Sequence, residues 1–296
     1  MFSLIFSVLC STALILVLSQ FNSYKIHTFQ AIVVNYMVCV GCAWLALGEF
    51  PLQASAMEQS WFFYALFLGL NFIVGFNMVA GTVQHFGVPV TSVMQKMSLV
   101  MVLAFTFFFY HEKLDAFKTM GLVAAFGAIW YSSRAEENLE KEEIKDKKQN
   151  NILLFFPILT LLLSGIIDVT FYYVQRTVSP QSGADLRFIA FLFGTAGAIG
   201  FVYALIGLWR KKFIFSWRNV TAGIVLGIPN FGSTFFFLRA MNEGWEGSVF
   251  FPINNVGIIV VSTLAAVFLL REKLNFSKKI SIVLSLISII LIALSQ

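Results

Sequence analysis

The chain has 296 residues, 58% of them hydrophobic and only 12% charged, with a mean hydropathy of +0.83 and a formal net charge of +5. A soluble domain carries roughly 25% charged residues, so this composition excludes a water-soluble globular protein, whose surface it could not cover. The basic balance does not point to nucleic acid, because the lysines and arginines fall between apolar blocks, as they do in membrane-flanking loops.

Those blocks are about 20 residues long, the length a helix needs to cross roughly 30 Å of hydrocarbon. Transmembrane β-strands would be about 10 residues of alternating polarity. The blocks here are apolar all round and read as helices, whose backbone groups are satisfied internally. The pattern predicts an all-α integral membrane protein with ten transmembrane helices and no soluble domain.

The first five helices are expected at 2–19, 29–48, 61–83, 88–110 and 116–133. Helix 1 starts almost at Met1 without a basic leader or a small-residue cleavage site, and reads as a retained helix. Helix 2 carries Cys39-Val-Gly-Cys42; no His or carboxylate accompanies it, so these two and Cys10 read as small packing residues. Helix 3 contributes Asn71 and Asn77. In helix 4, Lys96 falls about 13 Å along the axis, too deep for easy snorkelling. Ser92 and Gln95 are its neighbours. Lys96 is expected to bind a substrate carboxylate or phosphate, or to pair with a buried acid and join two helices.

Arg134 to Asn151 is the most hydrophilic stretch, mixing Glu136, Glu137, Glu140, Glu142 and Glu143 with four lysines, and reads as a solvated linker with room for one helical turn or two. It separates five apolar blocks from five more, at 152–175, 187–209, 219–241, 248–270 and 277–295. On helix 6, Ser164, Asp168, Tyr172 and Gln175 recur at i, i+4, i+8 and i+11, a polar stripe on one face that should look into a cavity or form an interhelical seam. Asp168 is the carboxylate well inside a predicted helix. It is therefore the natural counter-ion to Lys96 and the candidate for proton coupling. Helix 8 adds Asn230, Ser233 and Thr234, with Arg239 near its end. Helix 9 adds Asn254 and Asn255 after Pro252. Pro157, Pro229 and Pro252 each remove a backbone donor and can bend their helices.

The halves resemble each other at a spacing of 160 residues. His111-Glu112-Lys113-Leu114 corresponds to Arg271-Glu272-Lys273-Leu274, Gly87 to Gly247, Phe108 to Phe268, Lys118 to Lys278 and Ala80 to Ala240. The small-residue stripe Gly121, Ala125, Ala128 on helix 5 corresponds to Ser281, Ser285, Ser288 on helix 10, and such stripes let membrane helices approach closely. Five helices per repeat is an odd number, so the second repeat (152–296) should enter the membrane from the side opposite to the first (1–133). This is the inverted-repeat pattern of secondary transporters.

With these residues in place, the chain resembles the EamA-like ten-helix branch of the drug/metabolite transporter superfamily over essentially its whole length. The resemblance rests on the five-plus-five count, the size, and a Gly-containing start and Glu-containing end to helices 4 and 9. It matches Glu112 and Glu272 to the acidic residue that closes the fourth helix of each unit, with His111 and Arg271 standing where the family often has Gly. It implies a central cavity lined by helices 1, 3, 4, 6, 8 and 9.

The expected function is a secondary permease for a small organic metabolite, plausibly carboxylate-bearing such as an amino acid. A broad-specificity exporter and a nucleotide-sugar or phosphorylated-metabolite carrier are the alternatives within transport; a channel or an intramembrane enzyme are alternatives outside it. No Walker-type loop or Gly-x-Ser-x-Gly elbow occurs, and the three histidines are dispersed. The candidate substrate-binding residues are Lys96, Asp168, Gln95, Tyr172, Gln175, Asn71, Asn77, Asn230 and Asn255, with no catalytic residue, metal or cofactor. The expected partners are the substrate and the lipid bilayer of the plasma (inner) membrane; a homodimer is compatible with this reading.

Orientation follows from the loops. Those after helices 1, 3, 5, 7 and 9 carry Lys25, the linker cations, Arg210, Lys211, Lys212, Arg218, Arg271, Lys273, Lys278 and Lys279. Those after helices 2, 4, 6 and 8 carry only Lys113, Lys118, Arg176 and Arg187. Basic short loops stay cytoplasmic, which puts both termini outside the cytoplasm, whereas the family resemblance implies both inside. We take the charge count.

Overall fold

The computed structural model describes residues 1–21, 23–140, 155–178, 186–210, 216–269 and 275–295, with only the backbone of 80, 83–90, 92, 93, 133–140 and 208. Arg271-Glu272-Lys273-Leu274, Lys211, Lys212 and the linker residues 141–151 lie outside them. Among the described residues the protein is all-helical. Its α-helices are α1 (Phe2–Ser19), α2 (Thr28–Leu47), α3 (Phe62–Met97), α4 (Leu99–Tyr110), α5 (Ala116–Glu140), α6 (Phe155–Tyr173), α7 (Leu186–Trp209), α8 (Trp217–Met241), α9 (Gly247–Leu269) and α10 (Phe276–Leu294). A 3-10 turn (Ala54–Glu58) precedes α3 and a π-turn (Val174–Val178) follows α6.

Eight of these helices are long and apolar enough to cross a membrane; α3 qualifies through Phe62–Val79, and Met94–Tyr110 is a shorter apolar stretch. The protein is a multi-pass membrane protein.

The sequence places a break between helices 3 and 4 at 84–87, and the structure does not. The α3 backbone stays helical for 36 residues. A single glycine costs only about 1 kcal/mol in a helix, so Gly87 does not end it. The break falls instead at Ser98, whose hydroxyl is engaged by another helix. Lys96 therefore sits in the last turn of α3, not deep in a fourth helix. α5 runs on to Glu140, so the predicted linker opens with about two helical turns, within the expectation for it.

The chain forms two compact units, Met1–Val74 with Thr170–Glu243, and Gly75–Val169 with Gly244–Gln296. This division by packing differs from the division by sequence repeat, since α3 and α6 each contribute to both units.

In the first unit α8 packs on α1 and α2 through glycines. A Cβ at Gly223 would stand 2.5 Å from the Ala31 carbonyl, at Gly227 2.6 Å from Val38 Cβ, and at Gly232 2.8 Å from Cys10 Sγ. Phe6 and Phe236 stack beside the last contact at 5.1 Å. α2 also packs antiparallel on α7: a Cβ at Gly197 would meet Met37 Cε at 3.2 Å, and at Gly200 would meet Val33 Cγ2 at 2.9 Å.

In the second unit α5 and α10 lie antiparallel with the two small-residue stripes face to face. The Ser281 hydroxyl donates to the Ala128 carbonyl and the Ser288 hydroxyl to the Gly121 carbonyl, both at 2.8 Å. A Cβ at Gly121 would lie 2.5 Å from Ile292 Cγ1. The small residues expected to allow close packing do so against each other.

Candidate functional site

Ser98 occupies the N-cap position of α4 but makes no cap bond with its own helix. Its hydroxyl donates instead to Asp168 Oδ2 at 2.9 Å. The approach is possible because Gly165, one turn before Asp168, leaves room for Met101, one turn after Ser98. Elsewhere on α6, Thr160 meets α3, where its hydroxyl and that of Thr82 share a buried bond of 2.8 Å. Asp168 is half-buried, and it holds its carboxylate at membrane depth with a neutral hydroxyl donor. An acceptor in that setting suits a proton or a cationic group. Lys96 is half-buried two positions before Ser98, and Gln95 beside it is exposed. A cation in the last turn of a helix is also stabilised by the helix dipole. Asn77 and Asn255, in the same unit, are both half-buried.

At the end of this unit Glu112 accepts from the backbone amides of Gly247 and Ser248, each at 2.9 Å. These amides belong to the first turn of α9, where a helix supplies them no partner of its own, so the carboxylate is a charged helix cap. Nearby, Lys118, buried in α5, donates to the Lys113 carbonyl at 3.0 Å and pairs with Glu246. These contacts give Glu112, at the first of the Glu-containing ends noted in the sequence, a structural task.

In the first unit the buried Asn35 of α2 accepts from Asn230 Nδ2 at 3.1 Å, and Cys39 Sγ reaches the Gly227 carbonyl at 3.4 Å. Cys39 therefore packs and hydrogen-bonds, and all three cysteines are free thiols. Asn71 donates to the Phe67 carbonyl of its own helix at 2.8 Å. Tyr172 is buried beneath Arg176, whose guanidinium carbon lies 5.9 Å from the ring centre. Gln175, in the π-turn, is 4% exposed, and its Oε1 has no hydrogen-bond partner. Buried acceptors are rarely left so, and π-turns recur at functional positions.

The nine predicted residues thus divide: Asn77, Gln95, Lys96, Asp168 and Asn255 belong to one unit, and Asn71, Tyr172, Gln175 and Asn230 to the other. Sequence reasoning missed Ser98, because it placed that residue inside a helix rather than at a break. Asn35 is not among the candidates either, since the cavity that the resemblance implies does not include helix 2. An asparagine in an apolar helix was the available signal. A cavity of about 970 Å³ lies elsewhere in the first unit, between the end of α1 and the start of α8, and none of the nine lines it. Among the described residues no cluster of His, Cys, Asp or Glu could hold a metal ion.

No family model matches the chain. An uncharacterized protein of Haemophilus influenzae (strain ATCC 51907 / DSM 11121 / KW20 / Rd) is 26% identical over 301 residues, spanning 98% of this chain and 96% of its own length. A solved crystal structure of a protein 14% identical in sequence superposes with a TM-score of 0.76 over 99% of this chain and 96% of that one. That likeness shows the fold, which recurs at the same overall size.

Proposed function

We propose that the protein is a secondary transporter, not an enzyme, that moves a small carboxylate-bearing metabolite such as an amino acid across the plasma (inner) membrane by alternating access. The observation that carries this reading is the way corresponding helices pair with each other. The contacts Gly121–Ser288 and Ala128–Ser281 exchange when 160 is added to one residue number and taken from the other. Met37 and Gly197, themselves 160 apart, touch. Two corresponding helices that pack antiparallel in this manner are related by a two-fold axis across the helix direction. That axis lies in the plane of the membrane, which supports ten spans in two inverted repeats, 1–133 and 152–296, joined by 134–151. Secondary transporters are commonly built so, and the EamA-like drug/metabolite transporters that the chain resembles are among them.

Within this reading Asp168, which accepts from Ser98, carries the coupling proton, and Lys96 attracts the substrate carboxylate. The test is counterflow in proteoliposomes with a panel of radiolabelled amino acids and organic acids. Uptake accelerated by the same compound inside the vesicle is the expected result. Flux indifferent to the inside concentration would replace the carrier with a channel, and exchange restricted to lipophilic cations would replace the carboxylate class with a drug exporter.

A further inference from the structure

The cavity of about 970 Å³ between the end of α1 and the start of α8 is lined by none of the candidate substrate-binding residues. Its walls are apolar, formed by Val17, Phe21 and Val225, and its rim carries Lys25, Arg218 and Trp217. Phe21 is buried, while Lys25, Arg218 and Trp217 are exposed. Lys25 stands in a left-handed turn at φ 52°, a conformation uncommon outside glycine and asparagine. None of the described residues lining the cavity is acidic.

Its position gives this chemistry a meaning. α1 ends at Ser19 and α8 begins at Trp217, and both are membrane-spanning helices. The opening is therefore level with the lipid headgroups, where tryptophan and tyrosine collect. A free inorganic anion would need the cations but not the apolar walls, and would leave most of the volume empty. An uncharged lipid would need the walls but not the cations. Basic pockets between membrane helices are places where anionic headgroups settle.

We propose that this groove is a binding site for an anionic phospholipid, with its phosphate between Lys25 and Arg218 and an acyl chain along Val17, Phe21 and Val225. The charge count puts this end of α1 and α8 on the cytoplasmic side, the face where anionic lipids attract basic segments. The proposal does not depend on what the protein transports.

Native mass spectrometry of the full chain in detergent tests it, titrating phosphatidylglycerol, phosphatidylcholine or inorganic phosphate, with the thermal midpoint followed in parallel. Phosphatidylglycerol is expected to add a saturable adduct at least ten times tighter than phosphatidylcholine and to raise the midpoint, while inorganic phosphate does neither. Changing Lys25→Gln and Arg218→Gln together should remove that preference. Removing the same charge elsewhere, with Lys113→Gln and Lys279→Gln, should leave it. Equal binding of both lipids to the unmodified protein overturns the proposal without recourse to any variant. So does competition by inorganic phosphate, or an equal loss in the two double variants.

Discussion

The Ser98 hydroxyl has two possible uses, and the structure takes the less local one. At an N-cap a serine ordinarily satisfies an amide of its own helix; here it donates to Asp168 at 2.9 Å instead. Asp168→Asn keeps the shape and removes the charge. It is expected to lower uptake at least tenfold with unchanged amounts of folded protein, measured in proteoliposomes beside size-exclusion profiles. Ser98→Ala should cost about 0.6–1.7 kcal/mol of stability, the range of hydrogen bonds between membrane helices, and should shift the pH profile of uptake, which a purely structural bond would leave in place. Lys96→Met separates two roles for that lysine. Lost uptake with intact protein assigns it to the substrate, whereas lost protein assigns it to the last turn of α3, where a cation steadies the helix end.

Glu112 and the α5–α10 pair set the energetics of single elements. Glu112 caps the first amides of α9 with two charge-assisted bonds of 2.9 Å. Glu112→Ala should lower stability by about 2 kcal/mol, near the upper range for caps, and Glu112→Gln by less, because the amide keeps an acceptor but loses the charge. Both are read from thermal midpoints in detergent. Gly121→Leu puts atoms where Ile292 already stands, and overpacking of this kind costs about 1–3 kcal/mol. At this scale the sequence was legible where one residue type has one physical use. Twenty apolar residues in a row name a membrane helix, and the glycine, alanine and serine stripes name a close contact. It was illegible at the α3–α4 break. Gly87 sits at the predicted boundary, but ending a helix depends on partners elsewhere in the chain, and Asp168, the partner of Ser98, is 70 residues away. For the same reason the polar stripe Ser164, Asp168, Tyr172 and Gln175, though periodic, did not disclose that it serves two packing units.

For the whole molecule, the distribution of positive charge predicts the direction of insertion. Lys118 and Lys278, counted among loop cations on opposite sides, are both buried in helices. Setting them aside removes one charge from each side and leaves the imbalance intact. A green fluorescent protein fused after Gln296 is therefore expected to stay dark, and alkaline phosphatase at the same point to be active. Bright cells would reverse the orientation and favour the arrangement that the family resemblance implies.

The pairing of α5 with α10 also carries a history. If the two halves are the inverted repeats proposed above, contacts that exchange under a shift of 160 residues are those a half-length protein makes with a second copy of itself, inserted the other way up. Such a half has no need of a preferred direction. Gene duplication would turn the dimer into one chain, and later drift of lysines and arginines to one side would fix how the fused protein lies. The bond between the halves is then older than the peptide that joins them. Fragments 1–140 and 155–296, expressed together, are expected to co-purify and to restore uptake, and fragments that fail to associate would leave the two stripes as convergent packing rather than descent.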